Sequence, residues 1–199
     1  MSTSYEPSQA IPHDHEHASR ATFRWAAFIV AGVVLLDQFT KQLAVTHLVP
    51  RHLPHPVVGD VLRFTLTYNP GAAFGMHVGE ASRWLFMALT VVILGFLARL
   101  YTTTPPTERV LRMAVAAVMG GAIGNFIDRV RSHEGVVDFI DIGLGDTRFW
   151  TFNVADMAVS VGAVALVLSL WRYESRLHEE QQAAERAHVG LPSPPARDS

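Results

Sequence analysis

The sequence contains no cysteine, and only 17% of its 199 residues are charged. The lack of cysteine excludes disulfides, thiolate metal sites and a cysteine nucleophile. Ordinary soluble domains are about a quarter charged, so this chain is short of the polar surface that a soluble domain needs. Its net charge of −2 is small and argues against nucleic acid as a partner. Hydrophobic residues take the place of the missing charge, at 49% of the chain.

Most of the hydrophobic residues fall in four long runs. These runs are Phe23 to Leu48, Trp84 to Tyr101, Val110 to Ile127 and Val154 to Trp171. A helix needs roughly 20 apolar residues to span a bilayer, and the four runs show almost no polar face. We therefore predict an all-α membrane protein with four transmembrane helices, and prefer this to a soluble bundle of buried helices.

The two ends of the chain differ in composition from its centre. Residues 1–22 are polar, and residues 173–199 are charged and then rich in proline. The first run continues into Asp37 and has no small-residue cleavage site, so we interpret it as a retained helix and not a signal peptide. We predict a disordered N-terminal tail at 1–22, a membrane domain at 23–172 and a C-terminal tail that begins as a helical stub. The histidines and acids of residues 13–17 could bind a metal weakly, but a disordered tail explains them better.

The connections between the four runs differ in length. The connection Thr102–Thr107 is short, so the second and third helices are antiparallel neighbours. The other two connections are longer and lie together on the opposite side. Alternation in residues 61–68, before the turn Asn69-Pro70-Gly71, and β-branched and aromatic residues in 136–140 and 148–152 favour short strands. We expect a small sheet that rests on the membrane surface.

The basic residues indicate the orientation in the membrane. They crowd the helix ends that share a side with both termini, at Arg20, Arg24, Arg99, Arg109, Arg112, Arg172 and Arg176. Fewer lie at the opposite ends, at Lys41, Arg83, Arg129 and Arg131. By the positive-inside rule, this bias places both termini in the cytoplasm and the two long connections on the outer side.

Two acidic residues meet at one membrane boundary, where charge is costly and marks a candidate functional site. Asp128 follows the third run and Asp156 opens the fourth. Because the third helix runs outward and the fourth runs back, the two carboxyl groups lie at the same depth. A neighbouring pair that shares one proton can activate water, as aspartic peptidases do, without a metal. The alternative is that Asp128 pairs with Arg129 or Arg131, and that Asp156 stabilises the start of the fourth helix.

A third acid, Asp37, stands four residues before Lys41 on the first helix. This spacing favours an internal ion pair, with the Lys41 side chain extending outward to the interface. We prefer that interpretation to a direct catalytic role, although such a pair could still position a catalytic group. His47, His52 and His55 could form a metal site in the first loop, but solvated side chains are the simpler interpretation.

Two other classes of membrane protein fit these acids less well. A proton-coupled transporter would spread its acids through the membrane depth, and four helices without a visible repeat are few for transport. A non-catalytic assembly factor would leave the paired acids without a purpose.

Five motifs stand in order along the chain. They are Asp37-Gln38-Phe39-Thr40-Lys41, Tyr68-Asn69-Pro70-Gly71-Ala72-Ala73-Phe74-Gly75, Gly120-Gly121-Ala122-Ile123-Gly124-Asn125-Phe126-Ile127-Asp128-Arg129, Val136-Val137-Asp138-Phe139-Ile140 and Phe152-Asn153-Val154-Ala155-Asp156. Together they resemble the bacterial lipoprotein signal peptidase family, also called signal peptidase II. The resemblance covers about residues 23–172 and includes neither tail.

The resemblance implies an aspartic endopeptidase that removes signal peptides from diacylglyceryl-modified prolipoproteins by cutting before the lipidated lipobox cysteine. It implies that Asp128 and Asp156 form the catalytic dyad, with no metal and no cofactor. Supporting or substrate-binding roles are implied for Asp37, Lys41, Asn69, Gly75, Asn125, Arg129, Asp138 and Asn153. It further implies an extracytoplasmic β-cradle and a surface helix over the site. The resemblance also implies a monomer that lies among the lipids of the bacterial inner membrane. Globomycin-type cyclic peptides are expected to inhibit it.

Overall fold

The computed structural model describes residues 13–71 and 81–189. Its helices and strands follow in the order α1 (His13–His47), β1 (His55–Val58), β2 (Leu62–Asn69), α2 (Ala81–Thr103), α3 (Arg109–Arg131), β3 (Val136–Leu144), β4 (Thr147–Arg148) and α4 (Val154–Val189). All four helices contain a segment long and apolar enough to cross a membrane. The predicted class, a four-helix membrane protein with a small sheet, is confirmed.

Two helices extend beyond the predicted spans. α1 begins at His13, inside the segment 1–22 that we predicted as a disordered tail; residues 1–12 lie outside the described part. α4 continues to Val189, so most of the predicted C-terminal tail is a helical extension. The division into a membrane domain and two tails stays a prediction. The predicted surface helix and Gly75 also lie outside the described residues, which resume at Ala81.

The central helix is α3, which packs against α1, α2 and α4. Small residues permit this close approach. A Cβ atom added to Gly120 would lie 2.9 Å from the Cβ of Val33, and one added to Gly121 would lie 2.4 Å from the carbonyl oxygen of Ala155. Membrane helices associate through such backbone proximity, because lipid removes the hydrophobic force between them. Over the described residues the Cα atoms of α1 and α2 stay more than 8 Å apart, so these two helices flank α3 with a cleft between them.

The strands form one antiparallel sheet in the order β1-β2-β3-β4. Its register places Asn69 of β2 opposite Val136 of β3, and Thr67 opposite Asp138. Leu66 and Phe139 pack with Ala44, which fixes the sheet onto α1. This arrangement brings one end of β3 to the carboxyl end of α3 and the start of α4.

The strand predictions were largely confirmed. Of the predicted segment 61–68, all but Val61 lies in β2, and the segment 136–140 lies in β3, which is longer than predicted. Within 148–152, only Arg148 belongs to a strand, while Phe152 makes a single bridge to Ile140. β1 was not predicted, because its four residues include Pro56, which removes a ladder donor and confines the segment to a sheet edge.

Candidate active site

Asp128 lies in the last full turn of α3 and is 7% exposed. Its Oδ1 accepts a hydrogen bond from the Gln38 side chain at 2.9 Å. Its Oδ2 lies 2.8 Å from the Lys41 ammonium and accepts from the backbone N–H of Val137 at 3.2 Å. The ion-pair partner is therefore a lysine of α1. It is neither Arg129 nor Arg131, the partners that the alternative interpretation offered, and Arg131 donates instead to Gln38.

Asp156 lies in the first turn of α4 and is partly exposed. Its Oδ1 accepts from the Asn125 amide at 2.8 Å, and its Oδ2 accepts from the backbone N–H of Asn153 at 3.1 Å. The Asn153 side chain in turn accepts from the backbone N–H of Asp156 at 2.9 Å. This reciprocal pair is a capping box. Asp156 thus stabilises the start of α4, as the alternative interpretation held, while its carboxyl group stays accessible.

Asp37 and Lys41 form the predicted ion pair, at 2.8 Å. Asp37 is fully buried and also accepts from the backbone N–H of Ala155 at 2.9 Å. The prediction that Lys41 extends outward is wrong, since its side chain is 4% exposed and its ammonium contacts Asp37, Asp128 and the Asn125 amide oxygen. Three oxygen acceptors inside the protein replace the water that the ammonium would find at the interface.

Two asparagines connect the carboxyl groups. The Asn125 oxygen accepts from Lys41 at 2.9 Å, while its amide nitrogen donates to Asp156. A continuous chain of contacts therefore runs from Asp128 through Lys41 and Asn125 to Asp156. Asn153, which is fully buried, donates to the same Asn125 oxygen at 3.1 Å and to Asp138 at 2.7 Å. These neutral amides hold the carboxyl groups at fixed positions without adding charge.

Asp138 lies on β3 and is 3% exposed. Burial and, to a smaller extent, the negative charge of Asp156 raise the pKa of its carboxyl group to about 7, against hydrogen bonds from Asn153 and Asn69 and the positive charge of Lys41. Asn69, at the end of β2, also accepts from the backbone N–H of Gly71 at 3.0 Å. Asp138 therefore gains or loses its proton near neutral pH, beside the candidate dyad.

Arg129 supplies the second cation of the site. Its guanidinium lies 5.4 Å from the ring centre of Phe86 and donates to the Asn125 carbonyl at 3.4 Å. Its charge interacts with those of Asp156, Asp138 and Asp128. Among the described residues it makes no ion pair within 4.0 Å. It therefore acts on these carboxyl groups through longer-range electrostatic attraction and not through a direct ion pair.

Carboxyl groups outnumber cations in this region. Four carboxyl groups, of Asp37, Asp128, Asp138 and Asp156, lie around two cations, Lys41 and Arg129. Full ionisation would leave two negative charges without a counter-charge at an apolar boundary, which is costly.

Gln38 is a site residue that the sequence analysis did not single out. Its amide donates to Asp128, and to the carbonyl oxygen of Gly124 at 3.3 Å, while its own oxygen accepts from Arg131 at 3.1 Å. A glutamine carries no charge that would mark it at membrane depth. Its spacing was the available signal, because residues three apart on a helix share a face and Gln38 stands three before Lys41.

The loop histidines do not gather into a site. His47 belongs to the last turn of α1, where its Nδ1 lies 3.0 Å from the Leu43 carbonyl, and His55 begins β1. Within 13–71 and 81–189, no group of three His, Cys, Asp or Glu residues has the geometry to hold a metal ion.

The four apolar helices and the cluster of acids and amides at one end of them define a multi-pass membrane protein with a candidate active site. Comparison of the sequence with known families identifies its class. The sequence model of the family described as Signal peptidase (SPase) II matches residues 29–172. The lipoprotein signal peptidase of Geobacillus kaustophilus (strain HTA426) is 40% identical over 144 residues, which cover 72% of this chain and 91% of that protein. That of Hydrogenovibrio crunogenus (strain DSM 25203 / XCL-2) is 38% identical over 176 residues, covering 83% and 96%.

Solved structures agree with this match. A structure titled "Bacterial membrane enzyme structure by the in meso method at 2.3 A resolution" aligns with a TM-score of 0.67 and 30% identity, covering 76% of this chain and 90% of that one. A second, at 1.9 Å resolution, aligns with a TM-score of 0.64 and 31% identity, covering 73% and 91%. The chain belongs to the signal peptidase II family. Members of this family remove signal peptides from prolipoproteins, and they are classed as aspartic peptidases. The resemblance found in the sequence is confirmed.

Proposed function

We propose that this chain cleaves diacylglyceryl-modified prolipoproteins immediately before the lipidated cysteine, with Asp128 and Asp156 as its catalytic pair. The observation that carries this proposal is the chain of contacts from Asp128 through Lys41 and Asn125 to Asp156. It couples two carboxyl groups from different helices at the end of the bundle next to the sheet. One of them is buried and the other is partly exposed, so a substrate can approach the pair.

In the proposed reaction the two carboxyl groups hold one proton between them. The ionised carboxylate takes a proton from water as the water oxygen attacks the scissile carbonyl carbon. The protonated carboxyl group donates a hydrogen bond to the carbonyl oxygen, where negative charge develops. The carboxyl group that took the proton from water then gives it to the leaving amine as the C–N bond breaks, which restores the starting state of the pair. This sequence needs no metal and no covalent enzyme intermediate.

The neighbouring polar residues position this pair. Lys41, held by Asp37, supports the ionised state of Asp128, and Asn125 and Asn153 orient Asp156. We assign Arg129 and Asp138 to the charge balance of the site. Asn69, together with Gly75 beyond the described residues, is assigned to the substrate backbone, since neutral amides can bind an extended peptide without adding charge.

The proposed setting is the bacterial inner membrane, with both termini in the cytoplasm and the site at the outer face, as the distribution of arginine indicates. The substrate stays anchored in the lipid by its acyl chains. Each buried methylene contributes about 0.8 kcal/mol, so two chains anchor far more strongly than a peptide segment does. We propose that the enzyme acts as a monomer among membrane lipids, and that globomycin-type cyclic peptides inhibit it by occupying the same site.

A paired assay tests this function. The purified protein is incubated with lipidated and unlipidated forms of one precursor, at equal concentration in the same nanodiscs, and the cut is located by mass spectrometry. Cleavage before the lipidated cysteine, in the lipidated form alone, is the expected result, because the lipid fixes the depth of the scissile bond at the catalytic pair. Equal cleavage of both forms would show a general membrane peptidase, and cleavage of neither would overturn the proposed function.

A further inference from the structure

An apolar groove of about 550 Å³ runs along α3 between α1 and α2. It exists because the Cα atoms of these two flanking helices stay more than 8 Å apart over the described residues. Its walls include Ala27, Ala31 and Val34 of α1, Ala98 of α2, and Ala116 and Met119 of α3. Ala27 and Ala31 are exposed, so the groove opens toward the lipid.

The walls of this groove suit a helix. Small side chains let a second helix bring its backbone close, which is how helices associate inside a membrane. Two residues of the lining, Tyr101 and Thr102, carry hydroxyl groups, and both lie at the end of the groove far from the acids. The Thr102 hydroxyl donates to the Arg99 carbonyl at 2.8 Å, and the Arg112 guanidinium lies over the Tyr101 ring at 4.1 Å. The rest of the lining is apolar, so the groove offers mainly van der Waals packing to an apolar helix.

The groove leads to the catalytic pair. Ala27, Ala31 and Val34 follow one another at helical spacing, and the next residue of that stripe is Gln38. The amide of Gln38 donates to Asp128 at 2.9 Å. A helix lying in the groove would thus have its outer end beside the candidate dyad.

The length of the groove also fits. Its α1 wall extends from Phe23 to Val34, about 17 Å at 1.5 Å per helical residue. The apolar region of a signal sequence has about 7–15 residues, which as a helix is roughly 10–22 Å long.

We infer that this groove binds the apolar helix of the substrate's signal sequence and so aligns the scissile bond with Asp128 and Asp156. The inference rests on the proposed function and adds the place where the signal segment binds. Recognition is by shape, since the walls carry no charge that would select a sequence.

The test distinguishes binding of the substrate's signal segment from binding of its lipid. Ala31→Trp fills the groove. The matched control is Val161→Trp on α4, because Val161 is 70% exposed and lies outside the groove. Each variant is assayed with a full precursor and with a short lipidated lipobox peptide that lacks the apolar helix. Ala31→Trp should raise KM for the full precursor by about tenfold and leave KM for the short peptide unchanged. Val161→Trp should change neither.

A second measurement does not depend on cleavage. A photo-crosslinking residue at position 31 should trap the signal segment of the full precursor, and one at position 161 should not. Equal KM in wild type and a well-folded Ala31→Trp, or equal loss for both substrates, would overturn the inference, as would crosslinks from position 31 to lipid alone. Crosslinking without any cleavage would support the groove while overturning the proposed chemistry, so the two failures are distinguishable. Ala27→Leu, a smaller change in the same wall, replaces Ala31→Trp if that variant does not fold.

Discussion

The Lys41 ammonium lies 2.8 Å from the Asp128 carboxylate, and neither side chain is more than 8% exposed. This contact joins α1 to the carboxyl end of α3 and places a buried cation at one member of the candidate dyad. Lys41 also contacts Asp37 and Asn125. The same ammonium therefore holds α1 against α3 and places a positive charge beside Asp128.

The dyad assignment predicts loss of cleavage without loss of fold. Asp128→Asn and Asp156→Asn should each reduce kcat by about 10²–10⁴-fold, the range attributed to general acid–base groups. Asparagine keeps the size of the side chain and one of its two acceptor oxygens, and Lys41 still has Asp37 and Asn125 as partners, so the yield of membrane-inserted protein should stay near normal. Asp146→Asn, at an exposed turn residue, is the matched control. Substantial turnover by either dyad variant would end the aspartic assignment.

The buried ion pair predicts unequal effects of its two members. Lys41→Met leaves the Asp37 and Asp128 carboxylates without their cation, which should lower stability by about 3–5 kcal/mol and lower activity. Asp37→Asn should be milder, because Lys41 keeps Asp128 and Asn125 as partners. Thermal unfolding in detergent and turnover are measured together.

Its control is the exposed ion pair of Arg51 and Glu134, at 2.7 Å. Arg51→Met should change stability little, because solvent screens that pair. If Asp37→Asn is as inactive as the dyad variants at normal yield, Asp37 takes part in the chemistry and its positioning role is wrong.

The raised pKa of Asp138 predicts a pH dependence of stability. The folded protein holds this proton up to about pH 7, against an ordinary value of 3.8. Between these values the folded state binds more protons than the unfolded chain, so stability falls as pH rises through that window and levels off above it. The unfolding midpoint is followed from about pH 4 to pH 9 in wild type and Asp138→Asn. The decline should be smaller in the variant, and identical slopes would contradict the assignment.

The close approach of α3 to α4 predicts a steric requirement at Gly121. A Cβ atom there would lie 2.4 Å from the backbone oxygen of Ala155, next to Asp156. Gly121→Ala should therefore destabilise the protein by about 1–3 kcal/mol and reduce cleavage by displacing Asp156. Gly95→Ala, on α2 with nothing within 4 Å of the new atom, should be tolerated. Equal melting temperatures for the two variants would show that the helices adjust without strain.

Sequence reasoning located most of the site but not its contacts. Asp37, Lys41, Asn125, Asp128, Asp138, Asn153 and Asp156 were all named as candidates, and the structure brings them together. The direction of the Lys41 side chain was predicted wrongly, because i, i+4 spacing describes one helix, and two of the three acceptors of the ammonium, Asp128 and Asn125, belong to another. Gln38 was overlooked for the same reason, since its partner Asp128 lies on α3.

The sequence by itself determined the four apolar spans and their order, because hydropathy and helical period are local properties of the chain. It also determined the family, through motifs that stand in order along one segment. The tertiary structure alone decided which groups meet. Lys41 reaches Asp128, Asn125 bridges to Asp156, and Asn153 reaches Asp138 because small residues on α3 let α1 and α4 pack closely on either side of it. The protonation of Asp138 likewise depends on burial, which arises only when β3 is packed against the helix ends.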